Sequence, residues 1–146
     1  MYTKLENYLS GYFHTNYWYD EGVEIAQDII SNFTDKDWEQ LLKKLPKQNM
    51  EWKKKLAYCL YNDKNKYELL TLIELLHTED KELLEIVLDS LRSFMNQEST
   101  NFLMHDTEIV NQIKNLYYHN TSRIIHIMLT DLVYKINQFT EKELLL

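Results

Sequence analysis

"YELLTLIELLHTEDKELLEIVLDSLRSFMN", residues 67–96, decides the fold of this chain. Its first part is apolar nearly all round: Leu69, Leu70, Leu72, Ile73, Leu75 and Leu76 leave only a narrow ridge of Glu68, Thr71, Glu74 and His77. That pattern belongs to a central helix covered on most of its circumference. Its second part is amphipathic at the α-helical period, with Leu84, Val87, Leu88, Leu91 and Met95 on one side and Glu82, Glu85, Asp89, Arg92 and Asn96 on the other. Thr78 stands before it as an N-cap, and the acidic first turn suits the positive end of the helix dipole. The stretch therefore predicts two helices, over 64–77 with Asp63 as cap and over 79–96.

The same logic extends outward in both directions. With two glycines and one proline in 146 residues, the chain lacks the turn punctuation that many short strands need, and good helix formers dominate it. An all-α fold follows. A first helix covers about residues 2–10 and stops at Gly11, read as a C′ residue. Val23, Ile25, Ala26, Ile29, Ile30 and Phe33 form the apolar side of a second helix over 23–33. Thr34 caps a third over 35–45, closed by Pro46, and Asn49 caps a fourth that reaches about Tyr61. Helices over 106–118 and 122–139, the latter capped by Thr121, bring the number to eight. Short connections between helices of similar length point to antiparallel pairs stacked as a short α-solenoid, with an irregular bundle as the alternative. One helical domain spans 1–146, and the terminal segment 140–146, with "EKELLL", is short enough to fray or to pack back.

Length and composition also restrict function. A single thiol, Cys59, makes no internal disulfide, and without cysteine clusters or a secretory leader the expectation is a reducing, cytoplasmic setting. No apolar run reaches the roughly 18 to 20 residues of a membrane helix, so no membrane partner is expected. The net charge of −7 is uneven. Residues 67–108 hold ten acidic against two basic residues, whereas residues 35–66 hold nine basic against five acidic. An acidic surface repels nucleic acid and steers basic partners toward itself. A nucleic-acid module built on Lys43, Lys44, Lys47, Lys53, Lys54 and Lys55 is the weakest reading, because no basic motif of known docking geometry accompanies them.

Catalytic constellations are not found in the sequence. His14, His77, His105, His119 and His126 are scattered, and the nearest pair, His119 and His126, is divided by the connection before Thr121. Cys59 shares helical spacing with Trp52, Leu56 and Leu60, which describes a buried thiol. Glu79, Asp80 and Glu82 read as N-terminal helix charges, and two glycines cannot build a phosphate loop. No enzymatic activity, cofactor or metal is expected, which favours a binding role.

"LENYLSGYFHTNYWYDEG", residues 5–22, carries the most specific signal. It gathers aromatic side chains around both glycines, and it resembles the N-terminal signature of one family of bacterial immunity proteins from contact-dependent growth inhibition systems. In that signature a short helix is followed by a leucine, glycines and a "YFHxD" motif ending in an aromatic. The match falls on Leu9, Gly11, Tyr12, Phe13, His14, Asn16 and Tyr17, departing at Asn16, where an aspartate is common, and at Tyr17, where a tryptophan is common. The resemblance implies a cytoplasmic inhibitor without enzymatic activity that binds the toxic C-terminal domain of its cognate effector. It also implies a basic target, since such toxins are commonly nucleases, and a monomer that forms a heterodimer with the toxin.

On the residues themselves, Phe13 and Trp18 are expected to staple the turn to the core, while Tyr8, Tyr12, Tyr17 and Tyr19 keep their hydroxyls in water. The candidate partner-binding residues are Glu74, Glu82, Glu85 and Asp89 from the acidic segment, with Tyr17 and Tyr19 from the aromatic one. A helical-repeat adaptor for another protein or peptide is the alternative function.

Overall fold

The computed structural model describes residues 1–146, which form nine helices joined by turns, with no strand. No helix is long and apolar enough to cross a membrane. The chain divides into two compact units, Met1–Leu60 and Tyr61–Leu146.

The first unit contains α1 (Tyr2–Leu9), α2 (residues 15–31), α3 (Asp35–Lys44, continued by the 3₁₀ turn Leu45–Lys47) and α4 (Met50–Cys59). Helix α1 buries Tyr2, Leu5 and Leu9 against α2, α3 and α4. Eight residues are too few to hold a helix in water without such packing, and a set of polar straps reinforces it. The Tyr2 hydroxyl donates to the Glu6 carboxylate at 2.7 Å, and Gln48 Nε2 donates to the same carboxylate at 2.8 Å. Trp52 Nε1 donates to the Glu6 carbonyl at 3.2 Å. The Tyr2 hydroxyl bond, joined by Gln48 and Lys44, holds the Glu6 carboxyl below the usual carboxylate range.

Asp37 ties the start of α3 to the start of α1. It closes a capping box with Thr34, whose hydroxyl accepts from the Asp37 N–H while the Asp37 carboxylate accepts from the Thr34 N–H at 2.9 Å. The same carboxylate accepts from the Tyr2 N–H at 3.1 Å. These bonds, the Thr34 N–H foremost, bring the Asp37 carboxyl down to about 2.

Helix α2 departs from expectation. It begins at Thr15, eight residues before the expected start, and runs through a π turn, Trp18–Gly22, before continuing as Val23–Ser31. The aromatic stretch is therefore largely helical. Gly11 follows the Ser10 C-cap of α1, the C′ position expected of it, although neither glycine has a positive φ. Gly22 is needed for a different reason: a Cβ there would lie 2.7 Å from Trp18 Cε3, so only a glycine lets the indole lie against the helix. Ala26, Ile29 and Ile30 are buried as expected, while Ile25 is exposed instead of inward.

The second unit contains α5 (Lys66–Leu75), α6 (Lys81–Phe94), α7 (Gln97–Met104), α8 (Thr107–His119) and α9 (Arg123–Phe139). Helix α6 packs on α5 and α9, and its expected inward side, Leu84, Val87, Leu88, Leu91 and Met95, is buried throughout. Helix α7 was not expected. Asn96 starts it with a capping box to Ser99, and Ser99 and Thr100 are buried behind it. The caps of three other helices lie one or two residues later than expected: Asn65 rather than Asp63, Asp80 rather than Thr78, Ser122 rather than Thr121. At Asp80 both residues act, since its N–H donates to the Thr78 hydroxyl while its carboxylate accepts from the Leu83 N–H.

The polar ridge of α5 is only half exposed. Glu74 and His77 face solvent, but Glu68 and Thr71 are buried. The Thr71 hydroxyl donates to the Tyr67 carbonyl one turn back. The Glu68 carboxylate turns toward the preceding loop and accepts from the N–H groups of Tyr61 and Asn62 at 3.0 and 3.2 Å. Burial raises its carboxyl above the usual range, and those two N–H bonds act in the opposite direction. At the other end of the unit the tail packs back, with Leu144 buried and its N–H and carbonyl both bonded to the Asn137 amide.

Two outcomes follow from these contacts. Gly22→Ala should lower the unfolding free energy by about 1–3 kcal/mol through overpacking against Trp18, whereas Gly11→Ala should stay within about 0.5 kcal/mol; thermal denaturation of the two variants checks this. The Asp37 carboxyl is lowered by folding, so its contribution is complete above an unfolded value near 4 and is lost as pH falls toward 2. Asp37→Asn should therefore flatten the pH dependence of unfolding between about pH 4 and 2, measured by denaturant titration across that window.

Candidate functional site

The signature residues of the aromatic stretch are organised by one lysine. Lys55, on α4, donates to the carbonyls of Leu9 and Gly11 at 3.0 and 2.8 Å, so its ammonium caps the C-terminal end of α1, where the helix dipole is negative. Burial lowers its pKa from the ordinary lysine value. The same ammonium lies 5.1 Å from the centre of the Phe13 ring, a cation–π contact. Phe13 in turn meets three further rings: Tyr8 at 5.1 Å, Trp18 at 5.3 Å, and Tyr17, stacked parallel at 6.0 Å. Trp18 is buried, as expected, but Phe13 is only half-buried.

Around this anchor the remaining tyrosines divide. Tyr12, Tyr17 and Tyr19 are exposed, in accord with hydroxyls kept in water. Tyr8 is the exception: its hydroxyl is buried, and burial, aided by Tyr17, pushes it up to about 12. Tyr19 meets Tyr58 of α4 edge to face at 5.1 Å, and Tyr58 is itself 45 % exposed. Tyr58 was not among the expected site residues. Its spacing from Lys55, one helical turn on, was the available signal. The carboxylates of Asp20, Glu21 and Glu24 lie on the exposed part of the same helix as Tyr17 and Tyr19.

The acidic candidates lie in the second unit. Glu82, Glu85 and Asp89 share the outer stripe of α6, while Glu74 is exposed on α5. Two of the stripe carboxylates have cationic partners on their own helix: Glu85 with Lys81 at 3.9 Å and Asp89 with Arg92. Arg92 also donates to Asp131 of α9 at 3.1 Å, and Lys135 sits 3.7 Å from the same carboxylate. This network joins α6 to α9 as much as it colours the surface.

The other candidates have local roles. Cys59 is buried, and its carbonyl accepts from Gln27 Nε2. His119 bonds the Asn115 carbonyl, while His126 bonds the Asn120 carbonyl and stacks on Tyr117. No three histidine, cysteine or carboxylate side chains come together as a metal-binding group. A cleft of about 170 Å³ opens between the start of α5 and α7, lined by Lys64, Lys66, Leu69, Leu70, Ser99 and Phe102 among others. Compared with known proteins, the chain matches no family model, and no curated protein and no solved structure is significantly similar to it.

Removing the organising cation tests this description. Lys55→Met should lower stability by about 1–3 kcal/mol, because two helix-end carbonyls lose their donor, while Lys43→Met on the exposed side of α3 should stay within about 0.5 kcal/mol. Loss of the Tyr17 ring stacking in Lys55→Met would be read as changed near-ultraviolet circular dichroism.

Proposed function

We propose that this protein is an immunity protein, which binds the C-terminal toxin domain of a cognate contact-dependent growth inhibition effector and neutralises it. One observation carries the proposal. The residues that resemble the family signature, Leu9 to Tyr17, converge on a single structural unit, in which Phe13 and Trp18 anchor the turn and Tyr12, Tyr17 and Tyr19 remain exposed. Tyrosine suits such a role because it offers a large ring and a hydroxyl at low conformational cost, and tyrosines recur as hot spots of protein interfaces.

The chain acts by occupancy and not by chemistry, with no cofactor. The target is basic, as a nuclease that grips phosphates is, and the carboxylates of Glu74, Glu82, Glu85 and Asp89 draw it in while Tyr17 and Tyr19 make contact. The complex is a cytoplasmic heterodimer of one inhibitor and one toxin domain. Stacking of consecutive helices in antiparallel pairs is the arrangement proposed for the framework that holds these side chains.

Co-expression with the C-terminal domain of a large secreted effector, taken from a reading frame directly upstream of this one, provides the test. The expected result is an equimolar complex on gel filtration and survival of cells that the toxin domain alone kills. A toxin domain that kills equally with and without the chain, and elutes separately from it, overturns the proposal.

A further inference from the structure

We propose that the complex is held by the tyrosine and carboxylate face of α2 and α4, made by Tyr17, Tyr19, Tyr58, Asp20, Glu21 and Glu24, and that this face takes arginine and lysine side chains of the toxin domain. The inference rests on the inhibitor function proposed above and assigns its contact surface.

Charge is the first ground. Between residues 5 and 34 the chain has five carboxylates and neither lysine nor arginine. None of Asp20, Glu21 and Glu24 has an ion-pair partner among the salt bridges of the structure. Lys55, the cation nearest the ring cluster, is directed to the carbonyls of Leu9 and Gly11 and gives these carboxylates no counter-charge. On α6, by contrast, Lys81 and Arg92 already answer Glu85 and Asp89. Asp20, Glu21 and Glu24 thus carry charge that no cation of the chain answers.

Ring geometry is the second. Tyr17 is stacked on Phe13 with the two planes 3° apart, and Tyr19 is braced edge to face by Tyr58, so these exposed rings are held in place before any partner arrives. Exposed phenol rings and unpaired carboxylates on the same helix suit a guanidinium, which stacks on a ring while its N–H groups reach a carboxylate. A phosphate backbone would meet like charge on this face, and so would a second copy of the same chain.

The two acidic regions then divide the work. The α6 carboxylates act at a distance and set how fast the partner arrives, whereas the α2 and α4 face makes the contacts that must break when it leaves. Surface plasmon resonance with the purified effector C-terminal domain separates the two. Tyr19→Ala and Tyr58→Ala should each raise the dissociation rate by about tenfold or more, while Tyr19→Phe, which keeps the ring, should stay within about threefold of the parent. The double variant Glu21→Gln, Glu24→Gln should weaken binding and flatten its salt dependence. The triple variant Glu82→Gln, Glu85→Gln, Asp89→Gln should slow association and leave dissociation within about twofold.

Circular dichroism and melting temperatures of the Tyr19, Tyr58 and Glu21, Glu24 variants should match the parent. If the parent binds and the Tyr19, Tyr58 and Glu21 variants dissociate at its rate, the assignment of this face is overturned while the inhibitor function stands. If the parent itself does not bind the domain, both fail. A concentration-dependent dimer that Tyr19→Ala abolishes would place a second copy on this face and also overturn the assignment.

Discussion

The Lys55 ammonium is the constraint on which the first unit depends. An eight-residue helix ends with carbonyls that have no partner of their own, and the chain then has five residues in which to turn and begin α2. One charged side chain from α4 serves the end of the first helix, the turn and the ring that follows: it donates to Leu9 and Gly11 and lies against Phe13. Through Phe13 the effect reaches Tyr17 and Trp18, and through Trp18 it reaches Gly22. The position of Tyr17 is thus set by a side chain of a neighbouring helix that reaches the backbone at the end of α1. A lysine does this where an uncharged donor would do it less well, because a cation opposes the negative end of the helix dipole and also favours the face of a ring.

Charge elsewhere in the molecule is used for construction. Glu6, Asp37 and Glu68 each accept two or more hydrogen bonds and fix a junction: α1 to the segment after α3, α3 to α1, and α5 to the loop before it. The direction of each carboxyl's shift reports how well that environment accepts the charge. Bonds from Thr34 and Tyr2 dominate at Asp37 and lower it, whereas burial dominates at Glu68 and raises it. Arg92 is the corresponding hub of the second unit, bonded to Asp89 and Asp131 across two helices, although its Nε is buried without a partner.

Much of this was legible in the sequence, for physical reasons that can be named. Thr34 and Asn49 were read as caps because a short polar side chain stood directly before an apolar period, and both hold. The inward side of α6 was read from its period alone. Helix α7 was missed because "QESTNFLM" has too few apolar positions to show a period, and only the Asn96 and Ser99 pair marks its start. The burial of Glu68 was missed because a helical period says which face a residue occupies but nothing about a loop that folds back to meet it. The exposed positions of Tyr17 and Tyr19 were anticipated, whereas Tyr58 was hidden among lysines and apolar residues whose spacing suggested only packing. Lys55 was counted among surface cations because its two acceptors are 44 and 46 positions away in sequence.

The π turn at Trp18–Gly22 holds one residue more than an α-helical turn would need, and the N–H of Val23 returns to the carbonyl of Trp18. Deleting a single residue there would let the segment close as an ordinary α-helix, but each α-helical residue turns the helix by about 100°. Everything upstream, from Phe13 to Tyr17, would then be rotated by about that angle relative to Ala26, Ile29 and Ile30, which are fixed in the core. Length in this segment is consequently a discrete setting: exchange of individual tyrosines or carboxylates alters the surface one side chain at a time. A one-residue insertion or deletion would instead present a different face in a single step.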